Sequence, residues 1–268
     1  MKSLLLCFGL MCVLKLSAQT LSVDQDSHPT ANAFSNEFGS AYAALHCPAG
    51  LLNVNGFFLS VAGERKYLIP ELGSVGLYAV LPMKNDFFGF ELRKSGTAGS
   101  GQSSAALAYC RKINAVGLAL KCSYFQWNFK GYGASGSFYP ELAASVRILA
   151  GLQLGISLGN AGFVNLLPRI KQFSSAYKFS LGFTSDSNLF AGIEVRSVSS
   201  NASVDGLISY KFGKRLTVSI GVSSGTGSYS LSAGVRLKFI EALVTIGVHP
   251  QLGATPAILF NYQKQVAE

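Results

Sequence analysis

Gly227-Ser228-Tyr229-Ser230-Leu231-Ser232-Ala233-Gly234-Val235-Arg236-Leu237-Lys238-Phe239 is the stretch that decides the fold class. Tyr229, Leu231, Ala233, Val235, Leu237 and Phe239 form one set; Ser228, Ser230, Ser232, Gly234, Arg236 and Lys238 form the other. A period of two puts these sets on opposite faces of an extended strand, whereas a helix would bring apolar residues round at every third and fourth position. The same alternation runs through Val116 to Tyr124, Tyr177 to Phe183, Val204 to Phe212 and Leu216 to Val222, with little interruption between Ala115 and Gln263. The chain is all-β.

Composition says which all-β protein this is. Of 268 residues, 49% are hydrophobic and 13% charged, 29 are glycine, and the mean hydropathy is +0.33. Soluble domains carry about 25% charged residues. So much apolar content also excludes a disordered chain. Beyond the first twenty positions no apolar run reaches the roughly 18 residues a membrane-spanning helix needs. A soluble β-sandwich exposes a face rich in Lys, Glu, Thr and Asp. Here the second face is mostly Gly, Ser and Ala, which suits a crowded lumen, and the apolar face then meets lipid. The pattern predicts a transmembrane antiparallel β-barrel. Segments beginning near Asn53, Gly73, Asp86, Gln102, Ala115, Ser137, Gly151, Ser175, Leu189, Ala202, Arg215, Gly227, Ala242 and Ala254 give about fourteen strands. First and last strands must pair, because an open edge cannot face lipid, and Ile258 to Tyr262 suits that closure.

The N-terminus fits the same compartment. Lys2, the apolar run Leu4 to Leu14 and Leu16-Ser17-Ala18 read as a signal peptide over 1–18, cleaved near Ala18. Its loss lowers the formal charge of +9 by two lysines and leaves Cys47, Cys110 and Cys122, with no metal-type spacing. The expected location is the outer membrane of a Gram-negative bacterium. Residues 19–52 alternate poorly and are expected to form a small N-terminal plug packed inside or beneath the barrel, with 53–268 as the barrel itself. Arg111–Asn114, Thr184–Asn188 and Phe212–Lys214 read as short turns; Tyr132–Ser137 and Ala161–Gln172 read as longer loops.

Three stretches carry a family resemblance. Ala43-Ala44-Leu45-His46-Cys47-Pro48-Ala49-Gly50-Leu51 resembles the Asn-Pro-Ala-Gly-Leu segment near the start of FadL-type outer-membrane barrels, with Cys47 where that family has Asn. Gly151 to Gly162 is similar to a mid-barrel strand ending in Asn-x-Gly in the PorV/PorQ-like proteins of the Bacteroidetes, and His249 to Pro256 to their final turn. The resemblance spans Ala43 to Gln263. It implies a plug whose turn is His46, Cys47, Pro48, Ala49 and Gly50, and a role either in uptake or in type IX secretion.

Motifs for chemistry fail on context. Gly131-Tyr132-Gly133-Ala134-Ser135-Gly136 matches a dinucleotide fingerprint, but it lies between two strands rather than before a helix. Gly221-Val222-Ser223-Ser224-Gly225 matches a nucleophile elbow with no helix after it. His28, His46 and His249 have neither triad nor zinc spacing. No catalytic residue, metal or cofactor is expected, and the chain is read as a non-enzyme. Nucleic acid is not an expected partner, because the basic residues are scattered singly.

By alternation Arg93, Lys121, Arg147, Lys178, Arg196, Lys211, Arg236 and Lys238 point inward, against Glu91, Glu194 and Asp205. Such a lumen would favour anions, unless the charges pair or sit at the rims. The expected function is transport or binding of a small amphipathic or anionic molecule. The alternative is a type IX secretion accessory barrel with secretion-system partners. Outer-membrane lipid surrounds the barrel in either case.

Overall fold

The computed structural model describes residues 30–97, 99–160, 175–185, 188–198, 201–213 and 215–264. The signal-peptide reading, His28 and the Ala161–Gln172 loop lie outside them. Fourteen strands form one closed antiparallel barrel. They are β1 (Phe57–Arg65), β2 (Gly73–Met83), β3 (Asp86–Gly96), β4 (Ser100–Ile113), β5 (Val116–Phe129), β6 (Gly133–Leu149) and β7 (Leu152–Gly159). The second half comprises β8 (Ala176–Ser185), β9 (Leu189–Val198), β10 (Asn201–Phe212), β11 (Leu216–Ser223), β12 (Ser228–Leu237), β13 (Ile240–His249) and β14 (Gly253–Lys264). Each strand pairs with its neighbours in sequence. β1 closes on β14 in the register Phe57↔Lys264 to Glu64↔Ala257, so no strand edge is left open.

The faces follow the alternation. Ile220 is 59% exposed on the outer surface while its neighbour Ser219 is buried inside. Leu118, Leu120, Leu142, Ile156, Ile193, Leu231 and Val244 extend this outer apolar band around the barrel. Water would not tolerate so continuous an apolar surface, and lipid requires it. Aromatic pairs border the band near both strand ends: Phe57 with Tyr262 and Phe88 with Tyr109 near the chain termini, Tyr124 with Phe138 near the opposite end. No helix among the described residues is long and apolar enough to cross a membrane.

Two boundaries differ from the sequence reading. The first strand starts at Phe57, because Pro48–Asn53 winds into a 3-10 helix instead of extending. Tyr132–Ser137 is not a long loop: β6 begins at Gly133, and the turn is made tight by Gly131 and Gly133, both at φ +84°.

Inside the barrel lies the N-terminal segment. Ala31–Phe34 forms a 3-10 turn, Ala41–His46 a short helix α1, and Pro48–Asn53 the second 3-10 turn. The helix starts at Ser40, whose hydroxyl accepts from the Ala43 amide at 3.1 Å. Ala41, Tyr42, Ala43, Ala44 and Leu45 are all fully buried, although six residues are too few for a helix to hold alone. Packing against the inner wall supplies what length does not. The wall makes room with glycine: a Cβ at Gly89 would collide with Leu45, at Gly117 with Leu52, and at Gly155 with Phe34.

Candidate functional site

The hairpin turns β2–β3, β4–β5, β6–β7, β8–β9, β10–β11 and β12–β13 share the barrel end that holds Phe57 and Lys264. The N-terminal segment fills the interior. Between it and the opposite, loop-bearing end lies a cavity of about 880 Å³ with His46 and Ala31 on its floor. That volume is within the roughly 300–1,000 Å³ of small-molecule sites.

Charged side chains ring the cavity in pairs. Lys121 Nζ lies 2.7 Å from Glu91 Oε2 and donates to the Leu45 carbonyl at 2.6 Å. Lys178 lies 3.4 Å from Glu141 and donates to the His46 carbonyl at 2.9 Å. Arg196 binds Glu194 at 2.8 Å and Asp205 at 3.4 Å. Arg93 stands 3.6 Å from Glu64, which Lys66 approaches at 3.9 Å. Glu141 also accepts from Ser157, and Glu194 from Ser180 and the Cys47 thiol. Buried carboxylates survive only with such partners.

The structure therefore sorts the eight inward cations. Arg93, Lys121, Lys178 and Arg196 line the cavity. Lys211 and Arg236 face inward nearer the turn end: Lys211 meets Glu37 at 3.2 Å and the Phe38 ring at 4.5 Å, and Arg236 meets Glu241 at 3.4 Å. One placement is corrected. Lys238 sits exposed in the β12–β13 turn at φ 52°, so alternation, which holds only within a strand, did not apply to it. Arg147 keeps the inward register, opposite the buried Gln153, but it is exposed at the turn end of β6 and so lies at the rim rather than in the cavity.

The surplus of positive charge is corrected as well. Glu64, Glu141 and Glu241 face inward beside Glu91, Glu194 and Asp205 and take up the cations, and Glu37 arrives from the inner segment. Alternation through Tyr139 and Ala143, both buried, marks Glu141 as inward, so a signal for it was present in the sequence. Nothing local marks Glu37, which meets Lys211 only because the N-terminal segment folds inside.

Hydroxyls complete the lining. Ser95, Ser104, Ser123, Ser203, Ser223 and Ser230 project from six different strands, and Gln102 stands among them. On one wall Phe125 and Tyr139 reach the cavity, with the Trp127 ring 6.0 Å behind that of Phe125. At the rim the β1–β2 loop packs against the neighbouring strands: the Tyr67 amide donates to Thr255 Oγ1 at 3.0 Å, and Tyr67 meets the His249 ring at 5.9 Å.

The turn residues His46, Cys47, Pro48, Ala49 and Gly50 all lie inside the barrel. His46 Nδ1 donates to the Tyr42 carbonyl at 2.9 Å, Ala49 accepts from Ser145 at 2.9 Å, and Gly50 abuts Ala33 too closely for any side chain. Cys47 is buried, and burial together with the Glu194 carboxylate pushes its thiol well above the usual range. It makes the hydrogen bond at the position where the resemblance expects Asn. His249 accepts from the amides of Gln251 and Leu252, each at 3.1 Å, and so shapes the last turn. Cys47, Cys110 and Cys122 are unbridged.

Fold and lumen together define a transmembrane β-barrel of the kind found in outer-membrane channels. By sequence no protein-family model matches the chain, and no curated protein does either. By structure the chain is similar to the Pseudomonas putida toluene transporter TodX, at a TM-score of 0.60 and 9% identity over 90% of this chain and 98% of that one. It is similar to the monoaromatic hydrocarbon channel CymD at 0.58 and 10% identity, over 82% of this chain and 91% of that one. The Acinetobacter baumannii outer membrane protein Omp33 superposes at 0.53 with 9% identity, over 78% of this chain and 98% of that one. At these identities the likeness is one of fold.

Proposed function

We propose that the chain is an outer-membrane barrel of a Gram-negative bacterium that admits a small molecule from the loop-bearing end, with residues 30–53 as a plug beneath the entry cavity. The observation that carries this reading is the position of the cavity: it lies between loops and plug, and the plug's own carbonyls help to anchor the lysines on its wall. A purely structural barrel has no need of an open, polar chamber ending on a separately held segment. TodX, a toluene transporter, and CymD, a monoaromatic hydrocarbon channel, point in the same direction, toward passage of small molecules. Their hydrocarbons do not transfer with the fold, because the cavity wall here is hydroxylated and charged. Paired cations also remove the basis for selecting anions. The FadL-type resemblance agrees with a buried Pro48-Ala49-Gly50 turn, whereas the type IX accessory reading draws no support from the similar structures.

Liposome swelling tests the proposal. Vesicles carrying the full chain should swell in small neutral solutes faster than empty vesicles, and an increase with solute size rather than a cut-off would contradict a lumenal route.

A further inference from the structure

We infer that the lumenal cavity is a binding site for an uncharged, polyhydroxylated solute of mono- to disaccharide size; this rests on the transport reading and specifies its substrate class. A sugar hydroxyl donates one hydrogen bond and accepts others at the same time. The wall offers that combination repeatedly. Arg196 and Asp205 stand 3.4 Å apart, Lys178 and Glu141 3.4 Å apart, and Lys121 and Glu91 2.7 Å apart, and all six line the cavity. Each pair places a fixed donor beside a fixed acceptor, so a vicinal diol can bridge it without losing either bond. Charge-assisted bonds of this kind are the stronger ones.

A net anion or cation gains little, because every one of these charges already has its counter-charge. A hydrocarbon gains less, since it would strip water from serines and ion pairs and return no hydrogen bonds. The remaining wall fits the same ligand. Gln102 supplies an amide with two donors and an acceptor, the serines supply hydroxyls, and Phe125 and Tyr139 supply the apolar face against which sugar C–H groups pack.

Trp127, the chain's one tryptophan, reports on this wall: its ring is 6.0 Å from Phe125, which is itself 6.3 Å from Tyr139. The test titrates full-length protein in detergent with glucose, sucrose, sodium gluconate and toluene while following Trp127 fluorescence. Glucose or sucrose should give a saturable change, and gluconate, similar in size but charged, should bind at least tenfold more weakly. Asp205→Asn and Gln102→Leu should each weaken sugar binding about tenfold; heat-modifiable migration reports folding, and the second variant serves if the first misfolds. Toluene saturation without a sugar response, or no response to any probe, overturns the inference. The same solutes are then used in liposome swelling. Sugar that binds but does not enter would leave the ligand class standing and end the transport reading; entry of other solutes without sugar binding would do the reverse.

Discussion

Lys178 on β8 holds the carbonyl of His46 at 2.9 Å, so a cation from the barrel wall closes the C-terminal end of a helix that the barrel encloses. Lys121, from β5, does the same for Leu45. The last carbonyls of a helix have no partner within it and carry partial negative charge, which makes ammonium groups fitting caps. Each lysine is in turn fixed by a carboxylate on the wall, Glu141 or Glu91. The inner segment is thus tied to the strands by charge as well as by apolar packing.

Breaking one of these ties should be costly. Lys121→Ala leaves Glu91 buried without its counter-charge and Leu45 without its donor, an expected loss of about 3–5 kcal/mol. The double variant Lys121→Met with Glu91→Gln should recover much of it. Denaturant unfolding of the refolded barrel in lipid measures both, and an unchanged single variant would contradict the buried pair.

Facing predicts a contrast on one strand. Ile220→Arg puts a charge on the lipid-facing surface, costing roughly 2–4 kcal/mol near mid-membrane, while Ser219→Thr on the inner face should be nearly silent. On β12, Val235→Arg should cost less than Ile220→Arg, because Val235 is level with Leu216 near the turn end of the barrel. Gly234→Ser on the inner face should cost far less, because a Cβ there meets only the flexible tip of Leu243, at 2.8 Å. Folding yield into vesicles reads out all four.

Gly117→Val should loosen the inner segment rather than the barrel. The new side chain occupies the place of Leu52, and overpacking typically costs about 1–3 kcal/mol. Proteolysis should then cut near Leu52 faster than in the parent, with heat-modifiable migration unchanged.

Cys47 should resist alkylation in the folded protein. Its thiol is buried and donates to Glu194 at 3.1 Å, and its pKa is raised, so the reactive thiolate is scarce. The unfolded thiol, at about 8.5, loses its proton first, so this contribution to stability is present at neutral pH and is lost as pH rises above that value. Maleimide labelling followed by mass spectrometry at pH 8 should modify Cys47 only after unfolding; rapid labelling of the native barrel would contradict its placement.

Much of this was legible in the sequence, for a physical reason. Side-chain period two is a property of the strand itself, so Leu231, Val235 and Ile220 declared the outer face and Ser219 and Ser232 the inner one without any tertiary information. It failed where the strand stopped, at Lys238, and it gave no depth, so Arg147 was not marked as a rim residue. The inner segment was visible only as a lapse in alternation. Its helix Ala41–His46 is too short to announce itself by periodicity, and its partners Lys121, Lys178 and Ser145 lie far along the chain. The charge balance of the lumen stayed hidden for the same reason, since Glu37–Lys211 and Glu64–Arg93 are pairings made by closure of the fold.

Single-channel conductance in planar bilayers tests the central claim, that residues 30–53 close the barrel beneath the cavity. The full chain should show small or infrequent openings. A chain lacking residues 30–53, inserted and heat-modifiable, should open to a conductance several times larger, because fourteen strands enclose more space than their own side chains fill. Equal conductance from the two inserted proteins would contradict the plug.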